Sequence, residues 1–196
     1  IQDSLVGSEM CIRDSHSYTK QDHYFFPKKK LDAYWYKPPN DYYPRVFISE
    51  LKVNELSTIA QDIIHSYTKE IEKDPISEIN LDDAEAVVDF LNQALWKLPS
   101  LIDYKTLLKE SEYGAWVIYN RYYLNHYTIS IHELPSPYND LEFFNKFLQS
   151  IGVILNDAGG EIKTSQDKLL RQSSTIAQSV ESSFKNDETA KIAGSY

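Results

Sequence analysis

The sequence is short of several residue types, and each shortage excludes a class of protein. A single cysteine among 196 residues excludes an intramolecular disulfide framework, a cysteine-rich zinc site and a Cys-x-x-Cys redox pair. No apolar run approaches the roughly 18 residues that a membrane-spanning helix needs. Basic residues are outnumbered 20 to 29 by acidic ones, giving a formal net charge of −9. This balance argues against nucleic acid as the main partner, because phosphate binding needs a dense cationic face.

The remaining composition is typical of a folded globular chain. Hydrophobic residues make up 42% and charged residues 25%, which argues against disorder, coiled coil and collagen. The length suffices for one core, or for one domain that carries an insert.

Residues 1–15 differ from the rest and are set aside from the fold prediction. They contain the only Met and the only Cys, adjacent at positions 10 and 11. They have neither the basic region nor the apolar region of a secretory signal. The string resembles translated sequencing-adapter read-through, and we interpret it as non-native; a native disordered tail is the alternative. Since the chain also starts at Ile1 without an initiator Met, we expect that it is not an intact reading frame.

Hydrophobic periodicity predicts β structure, then helices, then β structure with one helix. The predicted strands of the first part are 24–26, 31–36 and 45–53, and the predicted helices are 56–71, 81–96 and 104–112. In the last part we predict a strand at 127–134, a helix at 140–150 and strands at 161–164, 169–175 and 176–184. The helical region interrupts two β regions and is therefore expected to be an insert.

Two of the five histidines, His126 and His132, lie on or beside the predicted strand 127–134. Equal parity puts both on one face, but six residues of strand separate them by roughly 20 Å. They cannot bind one metal ion together, so at most one of them is a ligand. The alternative for such a histidine is a structural residue held by a hydrogen bond.

The segment 164–183 has eight hydroxyl residues in twenty. One interpretation is the polar face of antiparallel strands. The other is a pocket for a polar, carboxylate-bearing ligand, in which Arg171 would suit a carboxylate because its guanidinium offers a matching pair of donors.

Several motifs in order resemble one known family. They are 26–31 (FPKKKL), 46–51 (VFISEL), 124–128 (LNHYT), 159–165 (GGEIKTS) and 169–175 (LLRQSST). Together they resemble the 2-oxoadipate dioxygenase/decarboxylase (hydroxyglutarate synthase) family, and the resemblance covers residues 17–196.

The resemblance implies an α+β fold of the vicinal-oxygen-chelate kind, built from βαβββ modules. Residues 16–53 would be part of a first β module, 54–112 a helical insert, and 113–196 a second βαβββ module that lacks its last strand. The implied reaction converts 2-oxoadipate, or a similar 2-oxo acid, and O₂ to 2-hydroxyglutarate and CO₂, a step of lysine catabolism. The implied cofactor is Fe(II), held by two histidines and one carboxylate with positions left open for substrate and O₂.

Residue by residue, the resemblance assigns one metal ligand, His126. The family's first histidine would precede residue 16, and its glutamate would follow Tyr196. Arg171, Gln172 and Ser174 match a family-like strand and are candidate substrate-binding residues. With one ligand of three, we expect the chain by itself to be inactive.

Two other interpretations stay open. One is a metal-free module of similar β architecture that binds a small acid, and the other is a structural domain in which His126 is only hydrogen-bonded. No targeting segment is visible, so we expect a cytoplasmic protein without nucleic-acid or membrane partners.

Overall fold

In a computed structural model, residues 17–71, 75–121, 126–165 and 168–194 are described. The segment 1–15 and the first two residues of the LNHYT motif lie outside these ranges. The chain forms two compact units: Ile1–Tyr122 with Ser183–Thr189, and Tyr123–Ser182 with Ala190–Tyr196.

The described part of the first unit contains a three-stranded sheet and four helices. The strands are β1 (Thr19–Phe26), β2 (Leu31–Lys37) and β3 (Val46–Leu51), and the helices are α1 (Thr58–Thr68), α2 (Ala84–Asn92), α3 (Leu101–Glu110) and α4 (Glu112–Asn120). The second unit contains α5 (Leu141–Ser150), β4 (Lys163–Thr164), β5 (Arg171–Gln172) and most of the hairpin β6 (Ser179–Ser183) and β7 (Thr189–Ala193).

The sheet is antiparallel, in the order β1–β2–β3. Leu31 and Ala33 of β2 are buried together with Leu51 of β3, because alternate side chains of paired strands share one face. Gly114 of α4 meets this face: a Cβ on Gly114 would lie 3.2 Å from Leu51 Cδ2. The missing side chain therefore allows the close approach of helix and sheet.

Each α-helix begins at a residue whose side chain accepts backbone hydrogen bonds. These N-caps are Ser57, Asp83, Ser100, Ser111 and Asp140. Such side chains satisfy amide groups that have no partner inside the helix. The helical core of the first unit includes Ile64, Tyr67, Leu107 and Ile118, each at most 5% exposed, and Phe184 packs against Tyr104 and Tyr119.

In the second unit the strands are short. β4 and β5 pair through Lys163 with Gln172 and Thr164 with Arg171, and one isolated bridge joins Leu155 to Thr175. Among the residues that the structure describes, no helix combines the length and the apolar character that crossing a bilayer requires.

Three sequence predictions need correction. Residues 127–134 are not a strand: the backbone is irregular up to Ser130, and Ile131–Glu133 forms a short 3₁₀ turn. Among the described strands none pairs with this segment, and a strand needs a partner for its backbone hydrogen bonds. The apolar alternation therefore leaves Tyr127 89% and Ile129 54% exposed.

The second correction is α4, which the sequence analysis did not predict. Its residues EYGAWVIYN include aromatic and β-branched types that favour strands, and one glycine that disfavours helix. Burial of Ala115, Trp116 and Ile118 supplies packing energy that outweighs these local preferences.

The third correction concerns the lengths of the later strands. Of the predicted 169–175 strand only Arg171–Gln172 is regular, and β7 was not predicted. The strands β1 to β3 and the helices α1, α2, α3 and α5 are confirmed within a few residues. The division into a first module, an insert and a second module stays a prediction.

Candidate functional site

His126 is an exposed residue of the second unit, on an irregular segment. Because this segment is not a strand, the argument that His126 and His132 share a strand face does not hold. His132 lies in the 3₁₀ turn, its side chain is 80% exposed, and its Nε2 lies 3.2 Å from a carboxylate oxygen of Glu133. The two histidines therefore occupy different local environments.

The iron site that the resemblance implies needs three protein ligands. Within the described ranges, no group of three His, Cys, Asp or Glu side chains is placed so that it could hold a metal ion. A facial site for Fe(II) requires two imidazoles and one carboxylate around one point. The described residues by themselves do not fit this cofactor, and His126 is the one ligand that the resemblance assigns.

The structure gives Arg171 a partner that the sequence did not show. Its Nη2 lies 2.5 Å from Oε1 of Glu142 at the start of α5. The hydrogen bond from Arg171 lowers the pKa of the Glu142 carboxyl. The Arg171 charge is thus already compensated by a carboxylate of the same unit.

Gln172 and Ser174, the other two candidate pocket residues, are exposed. The Ser174 carbonyl accepts a hydrogen bond from the Asn156 amide at 2.8 Å, which holds the backbone in place. Arg171 and Gln172 thus lie on one short strand. That they bind a ligand stays a prediction.

Two buried polar groups near this strand were missed by the sequence analysis. Asn145 of α5 is 4% exposed, and its Nδ2 is buried without a hydrogen-bond partner, as is Oγ of Ser173. Asn145 lies between Glu142, which contacts Arg171, and Gln149, which donates to Glu161 at 2.8 Å. One sequence signal could have indicated Asn145: it is a polar residue on the apolar face of a predicted helix, three residues before Leu148.

A second polar cluster lies on the sheet of the first unit. His23 Nε2 is 2.9 Å and Lys52 Nζ 3.3 Å from the two carboxylate oxygens of Asp32. Burial raises the pKa of Asp32, but the hydrogen bonds from His23 and Lys52 outweigh it and leave that pKa below its ordinary value. His23 also stacks on Tyr34 at 4.7 Å, and Lys52 also lies 3.2 Å from a Glu55 carboxylate oxygen. Contacts within the first unit thus account for this cluster.

A cavity of about 170 Å³ lies in the first unit, between β3 and α1. Its lining residues are Leu51, Val53, Asn54, Gln61, Ile64, His65 and Thr68. His65 is the single titratable side chain in this lining, so the cavity contains no pair of groups for general acid–base chemistry.

The fold identifies a structural class first. A protein assigned to the glyoxalase superfamily, from Ralstonia eutropha JMP134, superposes with a TM-score of 0.68 at 18% identity, over 91% of this chain and 59% of that one. This likeness concerns the fold alone, and it confirms the expected vicinal-oxygen-chelate architecture. The chain belongs to the 2-oxoadipate dioxygenase/decarboxylase family, whose sequence model it matches over residues 12–196.

Individual relatives agree with this assignment. The chloroplastic 2-oxoadipate dioxygenase/decarboxylase of Arabidopsis thaliana is 40% identical over 192 residues, which is 92% of this chain and 50% of that protein. The crystal structure of hydroxyglutarate synthase from Oryza sativa, solved in complex with 2-oxoadipate, has a TM-score of 0.82 at 38% identity over 98% of this chain and 62% of that one. The chain thus spans about half the length of the curated relatives that it matches.

Proposed function

We propose that the whole protein is a non-haem Fe(II) dioxygenase that decarboxylates and oxygenates 2-oxoadipate, or a similar 2-oxo acid. The observation that carries this proposal is the likeness of nearly the whole chain to a hydroxyglutarate synthase solved with 2-oxoadipate. The reaction balances: one 2-oxoadipate and one O₂ give one 2-hydroxyglutarate and one CO₂. The resemblance assigns this step to lysine catabolism.

In this proposal Fe(II) would supply the centre at which O₂ is activated, and His126 would be one of its two histidine ligands. His126 is exposed on an irregular segment of the second unit. The resemblance implies that the other histidine and the carboxylate lie outside the described ranges, within which no group of three donors is placed to hold a metal ion.

The polar residues of β5 would serve the substrate. Gln172 and Ser174 are exposed and can donate hydrogen bonds to carboxylate oxygens. Arg171 already binds Glu142, so its first role is to hold α5 against β5. A ligand carboxylate would have to share or replace that partner.

The test uses the full-length protein, loaded with Fe(II) without oxygen and then mixed with 2-oxoadipate and O₂. We expect one CO₂ released for each O₂ consumed, and 2-hydroxyglutarate as the product. The variant His126→Ala should lose both iron and CO₂ release, whereas the matched variant His132→Ala should keep them, because His132 contacts Glu133 at the surface.

Two results would contradict the proposal at different points. Full turnover in His126→Ala would remove His126 from the metal site. No turnover by the iron-loaded wild-type protein would exclude the dioxygenase itself.

A metal-free module that binds a small acid is the second candidate. It is favoured by Gln172 and Ser174, which are exposed and can donate hydrogen bonds to an acid without a metal ion. Calorimetric titration with 2-oxoadipate, with and without EDTA, separates the two candidates. The same affinity under both conditions, together with no turnover by the iron-loaded protein, supports the binding module.

The cytoplasmic location stays a prediction. The curated relatives are described as chloroplastic and chloroplastic/amyloplastic, which is a statement about those proteins.

A further inference from the structure

The cavity of about 170 Å³ between β3 and α1 has a buried floor and an exposed mouth. Leu51, Ile64 and Thr68 line it and are each at most 9% exposed, so they form the floor. Asn54 and His65 also line it but are exposed, so they form the mouth. A small molecule can therefore enter past polar side chains and reach apolar ones.

Helix α1 supplies one wall of this cavity. Four lining residues lie on the helix at spacings of three and four, which place them on one face: Gln61, Ile64, His65 and Thr68. The Gln61 side chain is held in place, because its Nε2 donates to the Leu56 carbonyl at 2.8 Å. The Thr68 hydroxyl donates to the Ile64 carbonyl at 3.1 Å. Both side chains have thus used donors within the protein and keep an oxygen that can accept from a ligand.

The lining indicates the charge of a suitable ligand. Among the described residues that line the cavity, none is Asp, Glu, Lys or Arg. Burying a charged group without an opposite charge is costly, so this lining disfavours both a carboxylate and an ammonium group. Its apolar floor favours a hydrocarbon part, and its amide and hydroxyl groups favour a neutral group that forms hydrogen bonds.

We propose that this cavity binds a neutral molecule of the size of one six-membered ring that carries a carboxamide or hydroxyl group. A cavity of roughly 150 Å³ accommodates a benzene ring, and this one is of similar size. The ring would lie against Leu51 and Ile64, and the polar group would form a hydrogen bond with Asn54 at the mouth. Since 2-oxoadipate is an anion, this inference does not rest on the proposed function.

The test titrates benzamide into the isotope-labelled 196-residue chain and follows its NMR spectrum. Benzoate is the matched probe, because it has nearly the same shape as benzamide and carries a negative charge. We expect benzamide to shift the methyl signals of Ile64 and the side-chain amide signals of Asn54, with a dissociation constant of about 1 mM. Benzoate should bind about tenfold or more weakly.

Two pairs of variants locate the binding. Val53→Phe places a ring in the cavity lining and should abolish benzamide binding. The matched control is Ile59→Phe, because Ile59 lies on α1 outside the lining and is 65% exposed; it should bind as the wild type does.

Asn54→Ala tests the mouth without adding volume, so it remains informative if Val53→Phe does not fold. It removes one hydrogen bond to the ligand and should weaken benzamide binding about threefold to tenfold. Gln93→Ala is its control, because Gln93 is an exposed amide outside the lining, and it should leave the affinity unchanged.

Three results would overturn the inference. One is the absence of any Ile64 shift at about 10 mM benzamide, where a site of 1 mM affinity is nearly filled. Another is equal affinity for benzoate and benzamide, which would contradict the preference for a neutral ligand. The third is unchanged benzamide affinity in folded Val53→Phe or in Asn54→Ala, which would place the binding outside this cavity.

Discussion

Glu110, the last residue of α3, joins three elements through one carboxylate. It accepts hydrogen bonds from Ser57 N at 2.8 Å, from Ser57 Oγ at 2.5 Å and from Lys30 Nζ at 3.0 Å. The Ser57 hydroxyl is the main cause that lowers the pKa of Glu110 from 4.5 to about 2. The N-terminus of α1 and the turn after β1 are thereby attached to α3.

This contact makes stability depend on pH in a defined range. A carboxyl whose pKa is lower in the folded state stabilises the fold above its unfolded pKa and loses that contribution as the pH falls. We expect the free energy of unfolding to decrease between pH 4.5 and about 2, by about 1 kcal/mol because the carboxylate is partly exposed. Urea unfolding at several pH values measures this decrease in the free energy of unfolding.

The matched variants are Glu110→Gln and Glu78→Gln, since Glu78 is exposed. The first should remove this part of the pH dependence and the second should preserve it. Equal pH profiles for the two variants would show that Glu110 is not the group responsible.

Tyr67 is a second residue whose hydroxyl connects elements. It is 5% exposed, donates to Asp103 Oδ2 at 2.6 Å and accepts from the Ser100 amide at 3.0 Å. Tyr67→Phe leaves both groups without this partner, so we expect a loss of about 1–2 kcal/mol in urea unfolding. Tyr42→Phe is the control, because Tyr42 is 92% exposed; a loss of similar size there would contradict the explanation.

At the scale of elements, α3 lies in the helical core of the first unit. It contacts α4 and α1, and Leu107 at its inner face is 0% exposed. Leu107→Ala should cost about 2–5 kcal/mol, because it removes apolar contacts and leaves a cavity.

The neighbouring Leu108 offers a matched control, since it is 43% exposed. Leu108→Ala should change the free energy of unfolding by about 0.5 kcal/mol or less. Similar losses for the two variants would mean that the helix is rotated relative to the orientation described.

The elements also show where sequence prediction stops. Helices α1 and α5 follow from their apolar periodicity, which is a local signal. Helix α4 and the irregular segment after His126 could not be predicted in this way. Whether an apolar run becomes helix or strand depends on which surface covers it, and that surface comes from distant parts of the chain.

At the scale of the whole molecule, iron binding by the 196-residue chain is a direct test of the donor set. Since the described residues hold no group of three donors, we expect well below one iron per chain after loading with Fe(II) and desalting. Elemental analysis measures the iron content per chain of the wild type and of His126→Ala. A ratio near one that falls in His126→Ala would show that the chain has a complete site.

The sequence by itself determined the overall class of this protein. Hydrophobic periodicity predicts most of the helices and the first sheet, because this signal acts over a few residues. The motifs around His126 and Arg171 indicate the family, which the comparisons confirm.

Only the tertiary structure decided which charges have partners. Arg171 is compensated by Glu142, 29 residues away, whereas the buried Nε of Arg121 and Nδ2 of Asn145 have none. The pairing of charges and the burial of polar atoms depend on contacts between residues far apart in the chain. For that physical reason a local pattern can name the candidate residues but cannot show which of them remain available to a ligand.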